Sequence, residues 1–347
     1  MSRLHYQCQA VVKSPRRLTV ILHRDIALLL GAGLIAASVV TAQFTPRIKP
    51  PKKEKELDTQ TLPLPPEPPS AVIAETGKLT FHVSPLSAKG LLTQQVRDAL
   101  KALDRASNGG TIVKLRAFVA GTGDMRRVAA IVSEDFSEKK IPLPVVTTMQ
   151  VGALPLEGAQ VVIESISVDK KTVNPNGAAF FPAQRPGELA AAAKAQQADL
   201  VQVTCFVADS RTAMTSAFPG AAVNLVQPTR LAIETETSCE GVGRLQKAGK
   251  SPGKLVFTGI QMAFGDQDQA LRLAYGRLGR ALETVKARPG DSLVLNIYSL
   301  NRNAAEKAVA LVPEFLGSKT SVYTTRVVEG LPSLDATVAI ELVASGP

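Results

Sequence analysis

Beyond residue 70 the side chains suited to nucleophilic, acid–base or metal chemistry are few. Of the three histidines only His82 lies there, and of the three cysteines only Cys205 and Cys239. No His/Cys metal cluster can be built from such a set. A Ser-His-Asp arrangement would have to use His82, and no serine stands in a G-x-S-x-G context. Gly121-Thr122-Gly123-Asp124, ahead of a helical pattern, resembles a phosphate-binding start. It lacks the following Gly and Lys of the known loops, so it reads as a turn with a helix cap. Cys205 and Cys239 fall on strand-like runs. In an oxidising compartment they can bond if pairing brings their Cα atoms within roughly 4.4–6.8 Å; otherwise they stay two buried thiols. No motif calls for a cofactor or a metal, and the expectation is none.

The formal charge of +10 invites a nucleic-acid reading until its location is checked. Residues 1–56 hold ten Lys/Arg against three acids, so the remaining body is close to neutral. That body, with no Trp and 4% aromatics in the whole chain, lacks both the basic footprint and the stacking surfaces of a nucleic-acid binder. The basic N-terminal segments suit anionic lipid headgroups instead, at about 1 kcal/mol per residue.

Ile26 to Phe44 runs without a charge for nineteen residues. As a helix this segment reaches about 28 Å, close to the hydrocarbon thickness. It is predicted to be a transmembrane helix behind a basic cytoplasmic tail, residues 1–25, with the C-terminal body periplasmic or extracellular. The alternative is a cleavable signal peptide ending at Val40-Thr41-Ala42, giving a secreted protein. The apolar run and the tail before it are both long for that, which favours the retained anchor. Residues 45–70, with paired prolines and no apolar period, read as an extended spacer that holds the body off the membrane or docks a partner.

Past the spacer one order of elements recurs. Gly77-Lys78-Leu79-Thr80-Phe81, Asn176-Gly177-Ala178-Ala179-Phe180 and Gly253-Lys254-Leu255-Val256-Phe257 each give a turn and an apolar strand. Helical stretches follow (LLTQQVRDALKALDRA, ELAAAAKAQQA, ALRLAYGRLGRALETVKA), then the most alike strands (TIVKLRAFVAGTGD, DLVQVTCFVADSR, DSLVLNIYSLNRN). A second helix is full in the first and third copies and shrunken in the middle one. Two strands close each copy, the middle pair being AAVNLVQPT and LAIETETSC. The fold class is α/β: three tandem β-α-β-α-β-β units spanning 71–170, 171–246 and 247–347. Such units cannot cover both sheet faces alone, so an intramolecular pseudo-trimer in a monomeric chain is expected.

These segments resemble the RidA-like reactive-intermediate (enamine/imine) deaminases, small α/β proteins that assemble as trimers with pockets between subunits. The resemblance rests on the strand-and-stop segment, the second helix, the Pro-led strands Pro144 to Pro155 and Ser321 to Pro332, and the glutamate-bearing last strands VVIESISV and VAIELVAS. It covers most of residues 77–344. It implies an arginine that grips a substrate carboxylate, but counting back from Leu-Pro that position holds Val146 and Tyr323, with Asn224 the nearest candidate in the middle copy. Arg326 is predicted to point to the opposite face from Tyr323. The family glutamate is nearly met by Glu164, Glu234 and Glu341, with one extra residue before it in the first and third copies.

Candidate pocket residues are therefore Tyr323, Thr324, Arg230, Glu164 and Glu341, with Thr325 beside them; a threonine-rich strand is also simply a β-former. The missing arginine turns the expectation toward a non-catalytic binding or scaffolding module anchored in the envelope. Its partners would be the membrane and either a small molecule in an inter-unit cleft or an envelope protein. The alternatives are an imine hydrolase with an altered pocket and an envelope-spanning adaptor.

Overall fold

Two periodicities set the architecture: alternation along the strands and three-and-four spacing along the helices. The computed structural model describes residues 64–121, 124–210, 217–231, 236–249, 251–317 and 322–347. The predicted membrane segment 26–44 lies outside them. Among the described residues no helix is long and apolar enough to cross a membrane.

The first described strand, β1 (Ala71–Glu75), precedes a sheet formed by β2 (Leu79–Val83), β3 (Thr111–Ala120), β4 (Val145–Val151) and β5 (Val161–Val168) in the order β2-β5-β3-β4. The middle sheet has β6 (Ala178–Gln184), β7 (Ala198–Phe206), β8 (Ala222–Val226) and β9 (Ser238–Leu245) in the order β6-β9-β7-β8. The third has β10 (Lys254–Thr258), β11 (Gln261–Phe264), β12 (Ser292–Ser299), β13 (Val322–Val327) and β14 (Ala336–Ser345). Its order is β10-β14-β12-β13, with β11 also on β14. The three orders correspond. In each, the last-named pair is parallel and the other pairs are antiparallel.

Strand β1 leads into the first sheet along the chain, yet its ladder runs to the third, from Ala71 opposite Thr258 to Glu75 opposite Lys254. A predicted element is also displaced. The last strand of the middle sheet is β9, Ser238–Leu245, where the sequence pattern predicts a strand over residues 231–239. Gly241 and Gly243 sit inside this strand because Leu200, Phe181 and Ala198 press where a Cβ would stand.

Helices cover one face of each sheet. In α1 (Leu92–Ala106), Leu92, Val96, Ala99, Leu100 and Leu103 form a stripe, and with α2 (Met125–Glu138) they pack on Leu115, Ala117 and Val119 of β3. Asp124 starts α2 by accepting the Arg126 N–H at 3.0 Å, the cap expected from the sequence. The middle sheet carries α3 (Pro186–Ala195), whose Leu189 and Ala193 meet Val203 and Cys205. The third carries α4 (Asp268–Glu283), α5 (Arg302–Ala310) and α6 (Val312–Leu316). The opposite faces turn toward one another, and two inner apolar clusters each draw side chains from all three sheets.

Candidate functional site

A register shift recurs at corresponding places in the three central strands: between Ile112 and Lys114 in β3, Leu200 and Gln202 in β7, and Ser292 and Val294 in β12. Such bulges re-aim the residues that follow. Beyond them, alternate residues face inward in layers: Lys114, Gln202 and Val294; then Arg116, Thr204 and Asn296; then Phe118, Phe206 and Tyr298. On the adjoining antiparallel strands the middle layer is met by Glu164, Glu240 and Glu341. The parallel partners supply Thr147, Asn224 and Thr324.

The middle layer is a buried ionic network. Arg116 Nε donates to Glu164 at 2.8 Å, Nη2 donates to Thr204 at 3.0 Å, and Nη1 reaches the Glu240 carboxylate in the middle sheet and the Tyr298 hydroxyl oxygen at 3.4 Å. Glu164 also accepts from the Thr204 hydroxyl and from the Asn224 amide, both at 2.6 Å. Lys114 donates across to Glu341 at 2.6 Å. Glu341, 1% exposed, further accepts from Tyr298 at 2.9 Å, Asn296 at 3.1 Å and the Thr147 hydroxyl. Thr324 donates to the Asn296 carbonyl oxygen at 2.7 Å.

Burying an ion costs several kcal/mol, and opposite charges and hydrogen bonds in the layer offset that cost. Burial pushes the Glu341 carboxyl up, but Lys114 and Arg116 overcome this and hold it at about 2. Burial opposes the charge on Arg116 too, and Glu164 and Glu240 raise its pKa well above the usual arginine value. Burial, and then the negative Glu341, push the Tyr298 phenol well up, so it stays protonated as a donor. A cavity of about 80 Å³ opens beside this layer, lined by its charged groups together with Gln202, Ile166, Phe180, Val242, Val294 and Val343. Among the described residues no group of three His, Cys, Asp or Glu is placed to hold a metal.

The opposite end is closed. Phe118 and Phe206 meet edge to face with centroids 6.2 Å apart, and the Arg326 guanidinium lies 4.4 Å from the Phe206 centroid. Backbone bridges join Gln150 to Gly330 and Ala153 to Gln227, linking the end of β4 and the residues after it to the segments that follow β13 and β8.

Solved structures resemble parts of this arrangement. A Mycobacterium tuberculosis member of the YjgF/YER057c/UK114 family is similar over 26% of this chain and 78% of its own, at 24% identity and a TM-score of 0.25. A Yersinia pestis protein of the Rid family, described as of unknown function, is similar over 26% of this chain and 77% of its own, at 18% identity and a TM-score of 0.24. A chorismatase is similar over 80% of this chain and 78% of its own, at 12% identity and a TM-score of 0.45. No family profile and no curated protein matches the chain.

Of the candidate residues, Glu164 and Glu341 stand in the ionic layer and Thr324 at its margin. Tyr323 is 45% exposed, outside the cavity. Arg230 is an exposed loop residue whose backbone N–H donates to the Glu329 carboxylate, also away from the cavity. Val146 packs under α1 and α2 rather than facing the other sheets. Arg326, on the face opposite Tyr323, is 7% exposed. Cys205 and Cys239 are joined by a disulfide, directly opposed on β7 and β9 with Cα atoms 4.0 Å apart. Glu234 lies outside the described residues, and the carboxylate in the layer from the middle sheet is Glu240. Sequence reasoning missed Lys114, Arg116, Glu240 and Tyr298. The usable signal was Lys114-x-Arg116 inside TIVKLRAFVA: two cations on one face of an otherwise apolar strand, with buried partners required.

Proposed function

We propose that the body is three RidA-like units closed into an intramolecular pseudo-trimer, carried on an N-terminal membrane anchor and a proline-rich spacer, and acting as a non-catalytic binding or scaffolding module of the cell envelope. The corresponding strand orders, bulges and inward registers support the three-unit reading. The observation that carries the non-catalytic reading is the engagement of Arg116. Each of its guanidinium nitrogens is committed to Glu164, Glu240, Thr204 or Tyr298. No charge on it is left to grip an incoming carboxylate without losing a buried partner. The disulfide between Cys205 and Cys239 supports an oxidising compartment for the body.

The test is turnover of small imino acids, generated in place, by the purified full-length chain. Hydrolysis at the uncatalysed rate is expected. A rate well above that background, abolished by Glu341→Gln, would sink the non-catalytic reading. Anchoring is tested separately by whether the chain stays with the membrane fraction after a high-salt wash; release into the soluble fraction would overturn it.

A further inference from the structure

The cavity beside the ionic layer has an uneven supply of hydrogen-bonding groups. Its charged lining holds two cations, Lys114 and Arg116, against three carboxylates, Glu164, Glu240 and Glu341. Arg116 has no donor to spare, as described above. Lys114 gives two of its three N–H bonds to Glu341 at 2.6 Å and to the Thr258 carbonyl at 3.4 Å, leaving one. The unused acceptors are more numerous. Gln202, 6% exposed, turns its amide nitrogen to the His82 carbonyl at 3.4 Å, and its own carbonyl oxygen has no partner among the described residues. Glu240 meets Arg116 through one oxygen, and its other oxygen has no partner among the described residues. The guanidinium of Arg326 lies on the ring of Phe206 and makes no ion pair with these carboxylates among the described residues.

Beside these acceptors the lining is apolar: Ile166, Phe180, Val242, Val294 and Val343. A ligand that satisfies both parts must donate hydrogen bonds, carry positive charge and present a short hydrocarbon tail. Size sets a further limit. The volume of about 80 Å³ is roughly half that of the ~150 Å³ apolar cavity that holds a benzene ring. Only a compact head group with a few carbons fits.

We propose that this cavity binds a small primary ammonium ion bearing a short apolar tail, with Glu240 and Gln202 accepting from the ammonium and the aliphatic wall holding the tail. The proposal rests on the reading of the body as a binding module. It does not depend on the anchor.

The test uses the full-length protein in detergent micelles, titrated calorimetrically with ethylammonium, acetate and ethanol, with protein-free micelles as the blank. The expected result is one saturable site for the cation, about tenfold or more tighter than for the alcohol, with no binding of the anion. Glu240→Gln and Gln202→Leu should each weaken the cation about tenfold while keeping a cooperative thermal melt. If Glu240→Gln does not fold, Gln202→Leu carries the test, since it removes no charge from the layer. Equal binding of alcohol and cation, absence of a saturable site, or unchanged affinity in the folded variants would each overturn the proposal. The imino-acid turnover assay, run on the same preparation, separates the two readings. Absence of a cation site with imino-acid turnover at background sinks the ligand and leaves the module, whereas turnover above background sinks the non-catalytic reading.

Discussion

The inner face of the first sheet carries Lys114 and Arg116, and the middle sheet holds Gln202 and Thr204 at the same two positions. Both sheets supply a glutamate to the layer, so the first brings an excess of positive charge and the middle one an excess of negative. Arg116 pairs with Glu164 inside the first sheet, but Lys114 reaches the third sheet's Glu341 and Arg116 also reaches the middle sheet's Glu240, so part of the neutralisation runs between sheets. Three identical subunits could not do this, because symmetry would place the same cation at every position. A single chain can let one arginine serve two carboxylates. The comparison breaks most visibly at that arginine. Arg116→Met would leave Glu164 and Glu240 buried without their cation and should cost about 3–5 kcal/mol in denaturant unfolding. Thr204→Val, the matching change in the middle sheet, should cost about 1 kcal/mol. Near-equal losses for the two would mean that the charge asymmetry has no energetic weight. Adding Glu240→Gln to Arg116→Met should recover part of the loss, and a double-mutant cycle measures how much.

The third sheet sharpens the point through pH. Glu341 is held at about 2, against its ordinary value of 4.5, because Lys114 and Arg116 outweigh its burial. A folded-state pKa below the unfolded one means that the unfolded chain binds the proton more readily. The contribution is therefore fully present above about pH 4.5 and is lost as pH falls toward about 2. The pKa difference corresponds to roughly 3 kcal/mol. Stability measured across that window should fall more steeply in the wild type than in Lys114→Met, whose Glu341 is already less depressed. Parallel acid profiles would show that Lys114 does not set the carboxyl.

Much of this arrangement was legible in the sequence wherever period and punctuation agreed. The helical stripe of α1, the Asp124 cap and the three alike central strands all follow from local rules. The last strand of the middle sheet did not, because glycines mark linkers far more often than they mark strands crossed by Phe181 and Leu200. The inward faces were harder still. A one-residue bulge before Lys114, Gln202 and Val294 decides which residues look inward, and bulges leave no mark in apolar sequence. That is why Glu164 and Glu341 could be singled out while Arg116 and Tyr298, their partners, could not. Tyr323, placed by counting from Leu-Pro, sits on the surface for a plainer reason: alternation along β13 sets it opposite Leu295 and turns its neighbour Thr324 to the layer.

The outer faces of the same two sheets give the smallest test. Two helices cover β3 of the first sheet, whereas among the described residues the middle sheet has α3 and the Cys205–Cys239 bond in a smaller apolar cluster. A bond closing a span of 34 residues restricts the unfolded chain, and directly opposed strand residues form it without moving the ladder. Replacing both cysteines by alanine should cost about 2 kcal/mol, at the low end of the usual range, because the β7–β9 hydrogen bonds remain. The loss should also be local. Hydrogen exchange after reduction should speed up in β7 and β9 and leave β3 and β5 unchanged. Equal loss of protection in both sheets would mean that the bond holds the three sheets together, and that the middle unit does not need it in place of a second covering helix.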